Sequence, residues 1–134
     1  MDLPEIKLTP TVLMYNMKDD ARTKAIRLYL DVQKIACVDV PPADYGQSLG
    51  ALLHLYGFSR RFSPAGIFDD EMLVLFAFQG NMLDAFLKFF RASRLAPVDL
   101  KAVVTPDNVN WTSVQLHEEL CRERDRYEKQ KNDA

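Results

Sequence analysis

The stretch Met72-Leu73-Val74-Leu75-Phe76-Ala77-Phe78 contains no polar side chain, so as a strand it presents apolar residues to both sides. A strand of that kind is stable only when both faces of its sheet are covered, which makes it central and calls for helices on each side. Thr11-Val12-Leu13-Met14-Tyr15-Asn16-Met17 repeats the pattern, with Val12 and Met14 on one face and Leu13, Tyr15 and Met17 on the other. With 134 residues, 48% of them hydrophobic, the chain has apolar material for one such domain over 1–134. Residues 1–10, around Pro4 and Pro10, are expected as an arm, and 122–134 as a charged helix end that frays.

The other elements follow from spacing and caps. Asp19 and Asp20 open a helix with Ala25, Leu28, Tyr29 and Val32 on one face, and Ile35–Val40 is a second strand stopped by Pro41-Pro42. Asp44 and Gln47 predict the cap of a helix over 45–56 carrying Leu49, Leu52, Leu53 and Tyr56, closed by Gly57. Gly46 and Gly50, one turn apart, point to close backbone packing against the sheet, or to a groove left for a ligand or partner. The loop Ser59–Gly66 carries Arg60 and Arg61, read as a solvated pair or as a meeting point for an anion.

Gly80-Asn81 opens a helix with the stripe Leu83, Phe86, Leu87 and Phe90, whose phenylalanines read as core. A last strand, Val98 to Val104, is limited by Pro106, and Thr112 with Gln115 forms a capping box for the final helix. Its charged end is expected to be laced by pairs such as Glu118 with Arg122 and Asp125 with Lys129.

An internal duplication is visible. Tyr15 and Phe76 are 61 positions apart, while Ile35 and Leu95, Val38 and Val98, and Asp39 and Asp99 are each 60 apart. The order βαβαβαβα then reads as an α/β (α+β) chain of two split βαβ units in a ferredoxin-like sandwich. The helix at 45–56 and the one starting near 112 are the two extra helices, covering the second sheet face. A three-layer parallel α/β sheet is the competing topology.

Charge and motif content narrow the function. Lys+Arg 17 against Asp+Glu 19 gives a net charge of −2, which argues against a nucleic-acid footprint. No apolar run approaches the ~20 residues of a membrane helix, and Met1-Asp2-Leu3-Pro4-Glu5 is not a secretory start, so no membrane role is expected. Cys37 and Cys121 lack CxxC spacing and read as reduced thiols of a cytoplasmic protein. No phosphate loop, HExxH, GxSxG or dinucleotide fingerprint occurs, and His54 and His117 read as ordinary histidines, so neither cofactor nor metal is expected.

The one polar cluster lies where the last strand ends. Strand alternation puts Asp99, Lys101, Val103 and Thr105 on one side and Leu100, Ala102 and Val104 on the core side. Lys101 is either an edge lysine with its head in water or a cation lining a groove. Thr105, Asn108 and Thr112 gather at the mouth of the final helix beside Trp111, with Asn16 near them if the repeats pair as proposed. The alternative is a turn-and-cap network with Trp111 as its plug.

Lys101-Ala102-Val103-Val104-Thr105-Pro106 with Asn108, Trp111 and Thr112 resembles the signature of an uncharacterised bacterial family, domain of unknown function 3783. Val12–Asn16 and Asp44–Gly50 look like that family's first strand and second helix. The resemblance brings no activity with it. The functional expectation is therefore a small binding or regulatory module without catalysis, taking a protein partner or small anionic ligand and self-associating as a homodimer. The alternative is an enzyme acting on a small anionic substrate at the Lys101/Thr105/Asn108 corner.

Overall fold

In the computed structural model, which describes residues 8–132, the two most apolar stretches become the two central strands. The elements are β1 (Thr11–Tyr15), α1 (Ala21–Val32), β2 (Ala36–Asp39), a 3₁₀ turn (Pro42–Asp44), α2 (Leu49–Leu52), β3 (Met72–Phe76), α3 (Met82–Ala92), β4 (Leu100–Val103), a second 3₁₀ turn (Asn108–Asn110) and α4 (Ser113–Asn132). Most of the expected arm, and the end of the charged tail, lie outside the described residues.

The sheet order is β2-β1-β3-β4, with β1·β2 and β3·β4 parallel and β1·β3 antiparallel. The seam sets Thr11 opposite Phe76 and Tyr15 opposite Met72. Two βαβ units and two additional helices are present, as an α+β chain requires. The strands of each unit are direct neighbours rather than interleaved in the ferredoxin manner, and the antiparallel seam replaces the all-parallel alternative. The cause is local: after α1 the chain turns back at once, Ala36 N–H donating to Pro10 at 2.9 Å and Val40 N–H to Met14 at 3.0 Å, which leaves no space for a strand between.

Both sheet faces are covered. Leu13, Tyr15, Met72, Val74 and Leu100 pack with α2 and α4 through Leu49, Leu52 and Leu116. Val12, Met14, Leu73 and Leu75 pack with α1 and α3 through Ile26, Leu30, Phe86 and Phe90. This is the division expected of the two extra helices.

The halves repeat as strand, helix, strand, 3₁₀ turn, helix. Their unusual backbone positions repeat too. Asn16 (φ 57°) and Ala77 (φ 61°) end β1 and β3 in the left-handed region, and Lys34 (φ 60°) and Arg94 (φ 54°) follow α1 and α3. The residues that open α2 and α4, Ser48 and Thr112, pair with each other in an isolated antiparallel bridge.

Three local expectations change. The α1 face that meets the sheet is Thr23, Ile26 and Leu30, while Leu28 and Val32 are 64% and 66% exposed. The Asp20 cap, accepting from Thr23 N–H at 2.9 Å, starts the helix in the rotation that aims Ile26 and Leu30 at Val12 and Met14. The 45–56 helix shrinks to one turn. Ser48 is its N-cap, accepting from Ala51 N–H at 3.1 Å, because the carboxamide of Gln47 is spent on the chain at Arg61 instead of on a helix start. The helix ends at Leu52, His54 turns left-handed (φ 56°), and Tyr56 stands fully in solvent. Along α4 the pairs use Glu119, which meets Arg122 at 3.4 Å and Arg126 at 3.3 Å, rather than Glu118.

Candidate functional site

The antiparallel seam disperses the corner expected from the sequence. Because β1 runs against β3 and β4, Asn16 sits at the end of the sheet where β3 begins, away from Thr105 where β4 has ended. Its Nδ2 donates to the carbonyls of Phe68 (2.8 Å) and Asp70 (3.0 Å), and its Oδ1 accepts from Tyr45 OH at 3.0 Å. A left-handed asparagine thus ties β1 to the segment entering β3. Lys101 lies on edge strand β4 in register with Leu73, on the α1/α3 face. Its Nζ turns back to the Val98 carbonyl, in an apolar hollow with Leu87, Phe90, Leu95 and Pro97, and burial pushes its pKa down. It does not share a surface with the helix mouth.

Thr105 and Asn108 satisfy each other. Thr105 N–H donates to Asn108 Oδ1 at 2.8 Å, Asn108 N–H to Thr105 Oγ1 at 3.1 Å, and Asn108 Nδ2 to the Val103 carbonyl at 3.0 Å. Thr112 and Gln115 form the expected capping box, at 2.9 and 3.2 Å. Trp111 packs its ring against the α2/α4 core and offers its carbonyl to Leu49 N–H at 2.9 Å. Behind the cap, Tyr15 OH and Ser113 Oγ share a buried hydrogen bond of 2.7 Å, and burial raises the phenol pKa well above its ordinary value.

Thr112 also lines a groove between the halves. The groove, of about 380 Å³, opens where the two halves meet, lined by Gln47, Ser48, Arg61, Ser63, Asn110 and Thr112. Gly46 lines it, and Gly50 stands one turn farther along the chain. A Cβ on Gly46 would stand 1.9 Å from the Ser63 carbonyl oxygen, and one on Gly50 would stand 2.4 Å from the Phe58 ring, so the returning 58–65 loop closes directly onto their backbones. The glycines receive a loop rather than the sheet. Gln47, buried, pairs with the Arg61 backbone as a neighbouring strand would: its Oε1 accepts from Arg61 N–H at 2.9 Å and its Nε2 donates to the Arg61 carbonyl. Arg60 pairs with Asp44 at 2.5 Å. Among the described residues no carboxylate pairs with Arg61, which is exposed and lines the groove.

Residues 71–127 match the family described as Domain of unknown function (DUF3783). The matched segment supplies β3, α3, β4 and α4 as far as Tyr127, and contains the whole Lys101–Thr112 run. Val12–Asn16 and Asp44–Gly50 lie outside the match, in the half that shows the same order of elements as the matched one. No curated protein and no solved structure matches the chain.

Two features escape a reading by motif. Gln47 carries a cap-like signal from Asp44 but acts as a clamp on a loop 14 residues away. His117 has Cys121 one helical turn beyond it, a spacing visible in the sequence, and the fold brings Asp70 to the same place.

Proposed function

We propose that the chain is a binding module that takes a small anionic ligand in the groove between the halves, with Arg61 as the charged anchor and Ser48, Ser63, Asn110 and Thr112 as neutral hydrogen-bonding partners. The observation that carries this reading is the place of Arg61: Gln47 fixes its backbone at the rim of a concave, mixed-polarity groove, and among the described residues no carboxylate pairs with its guanidinium. No helix of the described chain is long and apolar enough to cross a membrane. Both cysteines are free, in keeping with a cytoplasmic protein. The reading of an enzyme at Lys101, Thr105 and Asn108 draws no support from the geometry, since Thr105 and Asn108 are spent on each other and Lys101 faces α3.

Titration of ¹⁵N-labelled protein with inorganic phosphate and pyrophosphate tests the groove. Saturable shifts at Gln47, Ser48, Asn110 and Thr112, weakened about tenfold or more by Arg61→Gln as expected for a charge-assisted hydrogen bond, support it. Shifts that cluster elsewhere, or that ignore Arg61→Gln, overturn it. A second reading, a homodimer formed through β2, is favoured by the position of that strand: it is a sheet edge with three of its four residues exposed. Light scattering at twice the chain mass supports it, and a monomer mass at high concentration rejects it.

A further inference from the structure

We propose that Asp70, His117 and Cys121 form a binding site for a divalent transition metal of the zinc type, at the end of the sheet where β3 begins. Among the described residues these three side chains bring one carboxylate oxygen, one imidazole nitrogen and one sulfur within 4.8 Å of one another. His117 and Cys121 are one turn apart on α4, and Asp70 arrives from the chain just before β3.

The way the donors converge separates chelation from a nucleophile relay. Asp70 Oδ2 stands 2.8 Å from His117 Nε2, and Cys121 Sγ stands 3.5 Å from that same nitrogen. A cysteine–histidine–aspartate relay needs the acid on one ring nitrogen and the thiol on the other, so that the ring passes a proton between them. Here both face one nitrogen, whose single proton or lone pair cannot satisfy two partners, whereas one cation can. Zinc bond lengths with tetrahedral angles place nitrogen and oxygen about 3.3 Å apart and nitrogen and sulfur about 3.5 Å apart. The sulfur is already at that distance. The carboxylate must withdraw by about 0.5 Å to meet the same geometry, and Asp70, 53% exposed, is free to do so.

The site is held from behind. The His117 ring lies flat on Phe68, centroids 4.0 Å apart and planes 5° apart, and its side chain is only 15% exposed. Asn16 holds the Phe68 and Asp70 carbonyls, which makes it a positioning residue for the carboxylate. Oxygen, nitrogen and sulfur together suit a borderline-soft ion, and three protein ligands leave a fourth position for water or an added ligand. Binding proceeds as an exchange of protons for the ion: the Cys121 thiol loses its proton to become the coordinating thiolate, and the His117 proton resides on Nδ1.

Cobalt(II) is the probe, added to the reduced, metal-free full chain and followed by thiolate-to-cobalt charge-transfer absorption in the near ultraviolet, with zinc as competitor. The expected result is a saturable band at one equivalent that zinc abolishes, that Cys37→Ser keeps and Cys121→Ser loses. His117→Ala and Asp70→Asn are expected to weaken cobalt binding at least about tenfold. Circular dichroism of each metal-free variant verifies folding, and if Cys121→Ser fails to fold, Asp70→Asn at its exposed position carries the test. No band at stoichiometric cobalt, a band that survives Cys121→Ser, or an affinity unchanged in Asp70→Asn overturns the proposal.

Discussion

Replacing Asn16 separates two things the residue does: it joins β1 to the segment before β3, and it occupies a left-handed backbone position (φ 57°). Asn16→Gly removes the bonds to Phe68, Asp70 and Tyr45 while permitting the backbone. Net contributions of roughly 0.5–1.5 kcal/mol per bond, taken at the low end because the freed Asp70 carbonyl is reached by water, give a loss of about 2 kcal/mol. For a chain of this size that is a fall in Tm of roughly 6–8 °C. Asn16→Ala loses the same bonds and adds about 1–2 kcal/mol of left-handed strain, for a fall of roughly 10–14 °C. Ala77 provides the control, since it holds the equivalent position in the other half at φ 61° with no side-chain bonds. Ala77→Gly relieves strain at some entropic cost and is expected to leave Tm unchanged or raise it slightly. Thermal melts by circular dichroism, repeated in urea, give all three values. The reasoning is refuted if Asn16→Gly moves Tm by less than about 2 °C, or if Ala77→Gly lowers it as much as Asn16→Gly does.

Lys101→Met is expected to change stability by less than about 1 kcal/mol, because the half-buried ammonium trades its desolvation against a single bond to Val98; a large loss in a urea titration would contradict that balance. Tyr15 carries a sign in pH. Burial raises its folded pKa above the ordinary value of 10.0, so its contribution is intact below pH 10 and is lost as pH rises further, at about 1.4 kcal/mol per pH unit. Tyr15→Phe is expected to flatten that alkaline slope, and an unchanged slope would refute the assignment. Gly46→Ala is expected to push the 58–65 loop outward, costing roughly 1–3 kcal/mol and abolishing pyrophosphate binding; retained binding would show that the loop does not form the groove wall.

The layers were legible in the sequence because they rest on period and burial. Strands apolar on both faces, such as Met72–Phe76, demanded cover, and the capping box at Thr112 and Gln115 fixed where α4 begins. The 60–61 residue offset reappears in the left-handed pairs Asn16/Ala77 and Lys34/Arg94. Sheet order was not legible, since the same elements suit interleaved, adjacent or all-parallel strands. The dispersal of Asn16, Lys101 and Thr105 follows from that one unknown. Gln47 shows a different limit: a glutamine three residues after an aspartate reads as a cap, and only the approach of Arg61, admitted by Gly46, decides otherwise.

Both sites depend on β1 and β3 running in opposite directions, which sets Asn16 beside Asp70 and brings the starts of α2 and α4 together. Cross-strand nuclear Overhauser contacts in the labelled full chain read that orientation directly. Contacts pairing Leu13 with Val74, Tyr15 with Met72 and Ser48 with Thr112 are expected. Contacts pairing Tyr15 with Phe76 and Thr11 with Met72, the register of a parallel seam, would contradict the arrangement on which the groove and the Asp70–His117–Cys121 cluster are built.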